Sequence, residues 1–184
     1  MPGQPVEAFD EDLLQGHPSP VGPLYPEFAS FSDIAHVVQV RVEPTTRRGR
    51  VPRVVSVVDR GRVMRPVTAA SQVRGGVVWG IGAAPRERSE VDPRYGGFPN
   101  ADLAEYVTVV NAGIGEIDVD VIDEPDPLIN RDGVKSFGEV VMAGFALALA
   151  NAIDHATGQR LRILPIRIED RLEGRRPLAV ASTG

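Results

Sequence analysis

The sequence predicts an α+β domain: a mixed sheet, built from a hairpin plus further strands, packed with two main helices. Three observations carry this. Apolar and polar residues alternate with period two at 38–42 and 117–121, and β-branched residues crowd 51–59, the pattern of strands with one buried face. Apolar residues recur at spacings of three and four after Pro66 and after Glu139, the pattern of helices with one buried stripe. The composition, 42% hydrophobic and 24% charged over 184 residues, suits one globular domain rather than a disordered or fibrous chain. With aromatics at 5%, the core must come from Val, Ile, Leu and Ala.

Taken in order, residues 1–30 read as a Pro-rich extended arm. Pro2, Pro5, Pro18, Pro20, Pro23 and Pro26 fall there, each fixing φ and removing a backbone donor. Val38, Val40 and Val42 then alternate with Gln39, Arg41 and Glu43, a turn covers 44–49, and a second run covers 51–59; a hairpin over 36–59 is the simplest arrangement. The arginines of the turn, Arg47, Arg48 and Arg50, read as a solvated loop tip in preference to an anion site. Pro66 suits the first turn of a helix whose face is Val67, Ala70, Val73, Val77, Ile81 and Ala84, and Pro85 ends or kinks it. Gly75, Gly76, Gly80 and Gly82 burden that helix by up to about 1 kcal/mol each relative to Ala. Something must therefore approach its backbone closely, and composition favours another helix over a cofactor.

Turn-forming residues fill 90–100, a short amphipathic piece covers 101–106, and Ile117, Val119 and Val121 form a strand whose Asp118 and Asp120 face water. Asp123, Glu124 and Asp126, interrupted by Pro125 and Pro127, make a solvated turn rather than a hard-cation loop. A second helix is expected over 139–157 with Val140, Ala143, Leu147, Ala150, Ile153 and Ala156 on its apolar face and Gly158 as its C-terminal cap. Residues 161–168 suit a final strand or extended segment, and 173–184 a flexible tail. The expected organisation is thus an arm (1–30), one domain (31–172) and a tail (173–184).

The net charge of −5 argues against binding nucleic acid through bulk electrostatics. The absence of cysteine removes disulfides, thiolate metal sites and Cys nucleophiles from consideration. No apolar run is expected to approach the roughly 18 residues of a membrane span, and residues 1–12 carry no signal-peptide pattern. The expected location is cytoplasmic, with export alongside a partner left open. His17, His36 and His155 show no metal-ligand spacing and read as structural or exposed. The glycine-rich helix matches neither a phosphate loop nor a dinucleotide fingerprint.

One segment stands out chemically: Gly133-Val134-Lys135-Ser136-Phe137-Gly138-Glu139. Its two glycines allow a tight turn, and it delivers Glu139 to the expected start of an apolar helix, where the macrodipole favours an ionised carboxylate. An ordinary helix-start acid is the alternative, and on this segment alone the preferred one.

This run, followed by 150–153, 155–160 and 164–166, resembles the C-terminal end of the molybdenum-binding large subunit of the xanthine dehydrogenase and aldehyde oxidase family. Upstream, 59–62, Pro66, Ser71-Gln72, 75–82 and 100–106 are similar to the same family, and 123–127 most resembles its bacterial aldehyde oxidoreductase branch. The resemblance covers roughly residues 31–172. It implies the fold of the C-terminal molybdopterin-binding domain and a molybdopterin cytosine dinucleotide cofactor carrying molybdenum. It also implies hydroxylation of aldehydes or N-heterocycles with oxygen from water, and electron transfer through an iron–sulfur subunit and an FAD subunit. By the same resemblance Glu139 is the catalytic base, while Gln72, Gly75, Gly76, Lys135 and Gly138 are cofactor-binding.

There are departures. Family large subunits are several times longer. Ser136-Phe137 replaces a pair of small residues, so that Phe137 could crowd the base; Arg65 stands where Asn commonly precedes the proline; Pro85 falls where the helix usually continues. Two functions are therefore carried forward. One is the C-terminal portion of a molybdenum hydroxylase large subunit, working only with the remainder of that subunit. The other is a non-catalytic remnant or assembly module of the same family without cofactor.

Overall fold

The computed structural model describes residues 32–127, 129 and 132–173; the expected arm and all of the expected tail except Glu173 lie outside the described residues. Three strands form one sheet in the order β1–β2–β3, where β1 is Asp33–Val42, β2 is Gly49–Asp59 and β3 is Ile114–Ile122. β1 and β2 pair antiparallel as the expected hairpin, and β3 pairs parallel to β2. The parallel pairing requires a crossover, which α1 (Pro66–Ala83) supplies. α2 (Phe145–Thr157) and the short α3 (Ile168–Glu173) complete the fold.

β2 is central yet contains Pro52, which cannot donate to a ladder. The register explains how it is tolerated: Gln39 faces Arg53 and Arg41 faces Arg50, so Val51 and Pro52 together oppose Val40. This two-against-one bulge leaves Pro52 outside the antiparallel pairing. On the other side, Gly115 lies alongside Pro52, and a Cβ there would stand 2.1 Å from the Pro52 carbonyl oxygen. Only glycine lets the two backbones approach so closely.

The core lies between the sheet and one layer of helices. Val51, Val54 and Val58 from β2, Val73, Val77 and Ile81 from α1, and Phe145, Leu149 and Ile153 from α2 form it, with Val141 and Ile166. α1 packs over β3 and α2 over β1. α1 starts at Pro66 as expected and is capped at Ala84 just before Pro85. Its buried stripe begins at Ala69; Val67 is 85% exposed. The close approach demanded by the glycines is real. A Cβ on Gly76 would stand 2.6 Å from Cβ of Val141, and one on Gly80 would stand 2.3 Å from Cδ1 of Phe145.

The second helix departs from expectation. A 3₁₀ turn (Val140–Met142) comes first, Gly144 follows with φ +82°, and the α-helix starts only at Phe145. Its buried face is Phe145, Leu149, Ile153 and Thr157, so Leu147 points to solvent. The expected C-cap is present: Gly158 has φ +70° and donates its N–H to the Asp154 carbonyl at 2.7 Å. The expected absence of a long apolar run is also corrected, because Val140–Thr157 spans 18 residues with mean hydropathy 1.4. Its α-helical part is 13 residues, short of the roughly 20 that a spanning helix needs, and one face lies in the core. Residues 101–106, the short amphipathic piece, form turns. Residues 161–167 run without strand pairing; Ile166 is buried in the core, its N–H donating to the Ala84 carbonyl at 2.7 Å, and Leu161 packs against the core half-buried.

Candidate functional site

The chain leaves β2 through Asp59, Arg60 and Gly61 and is met there by the segment around Gly133. Gly61 and Val134 form an isolated bridge. Arg62 donates its N–H to the Gly133 carbonyl at 2.8 Å, and Lys135 donates its N–H to the Arg60 carbonyl at 2.9 Å. Gly61 and Gly133 have φ +70° and +67°, and a Cβ on Gly61 would stand 2.2 Å from the Gly133 oxygen. Two glycines are needed because two backbones cross at contact distance. Gly138, by contrast, has no positive φ.

The Lys135 side chain points away from solvent, 12% exposed, with its Nζ 3.1 Å from Asp59 and 3.8 Å from Asp126. The Gly61 N–H, helped by Lys135 and opposed by burial, holds the Asp59 carboxyl below its ordinary value. This ammonium therefore joins the end of β2 to the acidic loop and fixes the 133–139 segment. Asp123, in the same loop, accepts the Val63 N–H at 2.7 Å. Among the described residues, no group of three or more His, Asp or Glu is placed to ligate a metal.

What this frame presents is a groove of about 340 Å³ lined by Arg60, Met64, Arg65, Thr68, Gln72, Phe137 and Gly138. The Gln72 side-chain amide donates to the Gly138 carbonyl at 3.4 Å, so the first half of α1 and the Gly138-Glu139 turn form one wall. Built Cβ atoms on Gly75 and Gly138 meet nothing within 4 Å, leaving their backbone open to a bound group. Gly76 is committed to Val141 instead. Phe137 packs against the core and lies under the Arg60 guanidinium, 4.3 Å from its ring centroid. Glu139 is exposed and follows Gly138 in the chain, but it does not line the groove. It caps the three-residue 3₁₀ turn, without a side-chain hydrogen bond, rather than the α-helix that was expected to favour its charge. Sequence reasoning assigned no role to Arg60, although the run 59–62 belonged to the resemblance; its buried Nε has no hydrogen-bond partner.

A model of the molybdopterin cofactor-binding domain matches residues 9–114, more than half of the chain. The chain belongs to the molybdopterin cofactor-binding domain family. The family match takes in most of the expected arm and ends at the first residue of β3. The chain is 38% identical over 152 residues to the aldehyde oxidoreductase molybdenum-binding subunit PaoC of Escherichia coli (strain K12), covering 83% of this chain and 21% of that protein. It is 30% identical over 126 residues to the nicotine 6-hydroxylase large subunit of Paenarthrobacter nicotinovorans, covering 68% and 15% respectively. Among solved structures, the aldehyde oxidoreductase from Desulfovibrio desulfuricans ATCC 27774 superposes with a TM-score of 0.69 at 26% identity, over 86% of this chain and 16% of that one. The chain thus spans about a fifth of the length of the curated relatives it matches. Its α+β fold is that of a molybdopterin-binding domain from subunits of the aldehyde oxidoreductase family.

Proposed function

We propose that this chain forms one wall of the active site of a molybdenum hydroxylase of the aldehyde or N-heterocycle type and works with the remainder of the large subunit. The observation that carries this is the open wall that the Gln72 amide forms with the Gly138 carbonyl, next in the chain to the exposed Glu139. That wall suits a molybdopterin cytosine dinucleotide. Gln72 and the bare backbone of Gly75 and Gly138 offer polar contacts at close range, and the Arg60 guanidinium places positive charge where phosphate oxygens are welcome. Gly76 and Lys135 serve the same group by shaping and fixing the wall. When bound, the cofactor supplies two-electron oxidation with water as the source of oxygen. Glu139, exposed and next to Gly138, is the base in this reading: its Oε atoms would accept the proton given up as the water-derived oxygen bonds to the substrate carbon. Electrons then leave through iron–sulfur and FAD subunits.

The test is co-expression with the rest of a large subunit and its two partner subunits, reading molybdenum content and turnover separately. The Glu139→Gln variant is expected to keep molybdenum loading and melting behaviour while turnover falls by about 10²–10⁴-fold. Near-parental turnover in that variant overturns the role of Glu139; a complex that never takes up molybdenum overturns the wall. The second result would favour a non-catalytic assembly module, a reading supported by the single wall that the described residues supply.

A further inference from the structure

A second hollow, of about 500 Å³, opens where the C-terminal end of α1, the start of β2 and α3 meet the connection after Pro85. It stands apart from the molybdopterin wall, since Gln72 and Pro85 are separated by roughly 20 Å along the helix direction at 1.5 Å per residue. Arg48, Arg86, Arg88, Arg167 and Arg171 line it, against Glu90, Glu105 and Glu169.

Arg171 decides what the hollow is for. It is 3% exposed, and its Nε is shut off from solvent with no hydrogen-bond partner. Its guanidinium forms no hydrogen bond or ion pair among the described residues. The fold makes room for it, because a Cβ on Gly49 would stand 2.5 Å from its Nη1. Burial pushes its pKa below the ordinary arginine value; Asp170 and Glu169 oppose that, and the nearby charge of Arg86 adds to it. Arg167 is paired with Asp170 at 3.5 Å, whereas Arg86 has no carboxylate partner among the described residues. Arginine keeps its proton in proteins, and a buried charge that no direct ion pair satisfies is unfavourable, with Asp170 and Glu169 offsetting only part of the burial here. Two guanidiniums that line one hollow, neither with an ion pair within 4 Å among the described residues, can each present a fork of N–H donors to an oxyanion.

We infer that this hollow is an oxyanion-binding site, for a phosphoryl or carboxylate group, held by Arg171 and Arg86. The test uses the full chain, with calorimetry and thermal melts in inorganic phosphate, succinate or chloride at equal ionic strength. Phosphate or succinate is expected to bind saturably and raise Tm where chloride does not. Binding to phosphate alone assigns a phosphoryl ligand, and binding to succinate alone a carboxylate. Arg171→Met, which keeps an apolar stem, is expected to lose at least about tenfold in affinity for the anion. In chloride it should melt no lower than the parent, because it removes a buried charge that has no direct ion pair among the described residues, and the order should reverse once the anion is present. Arg86→Met provides a second variant outside the core with the same loss of affinity. The proposal is overturned if phosphate and succinate both act as chloride does, or if the variants bind the anion as tightly as the parent.

Discussion

Gly75 and Gly80 lie five residues apart on α1 and stand in opposite surroundings. A Cβ on Gly75 meets nothing within 4 Å, whereas one on Gly80 meets Phe145 at 2.3 Å. Phe145 is fully buried, so it cannot move aside without disturbing Val77, Ile81 and Leu149. Helix propensity alone would make both Gly→Ala changes stabilising, by up to about 1 kcal/mol. Packing reverses the sign at one of them. In chemical denaturation of the isolated chain, Gly75→Ala is expected to stabilise by up to about 1 kcal/mol, and Gly80→Ala to destabilise by about 1–3 kcal/mol through overpacking. Equal effects at the two sites would mean that Phe145 does not rest on the α1 backbone. The presence of a close approach was legible from four glycines in one helix. Its direction was not, because a glycine count says nothing about which side of the helix is covered.

α2 shows why a hydrophobic pattern can locate an element and still misplace its start and face. No polar side chain occurs from Val140 to Ala150, so several helical registers fit equally well, and small alanines weight each register alike. Phe145 settles the register physically: as the largest fully buried side chain, it fixes the inward face at Phe145, Leu149 and Ile153. The late start is set by Gly144, whose φ of +82° breaks the right-handed path and separates the 3₁₀ turn from the helix. An L-residue with a Cβ resists that conformation by roughly 1–2 kcal/mol. Gly144→Ala is therefore expected to lower stability by about that amount in denaturant melts, although nothing crowds the position. A neutral or stabilising result would show that the turn and the helix can join into one continuous element. The hairpin was easier to read, since alternation leaves only one choice of buried face, but the bulge opposite Pro52 appears only once two strands are paired.

At the scale of the whole molecule, the site was legible as separate motifs, while their meeting was not. Gln72 and Gly138 are 66 residues apart in the chain, and no local pattern shows that Lys135 turns toward Asp59 and Asp126. A single histidine performs a comparable long-range joining of the core. His36 in β1 receives the Ser56 hydroxyl of β2 at Nδ1 (2.8 Å) and donates from Nε2 to the Val141 carbonyl of the 3₁₀ turn (2.9 Å), with Phe145 of α2 edge-on at 5.3 Å. This arrangement suits the neutral ring with its proton on Nε2. Burial lowers the His36 pKa from 6.5, and the Val141 carbonyl offsets that only in part. The folded state thus binds this proton less readily than the unfolded chain does, and in the window between the two pKa values the unfolded state carries more protons. Stability linked to His36 is full above the unfolded value near 6.5 and falls as pH drops from there toward the lower folded value. Melting temperatures between pH 8 and 5 are expected to decline on the acid side in the parent. In His36→Gln, which offers an amide N–H to Val141 but does not titrate, that part of the decline should be absent. Parallel parent and variant profiles would show that protonation of His36 is not what couples the two β-strands and the helix layer to pH.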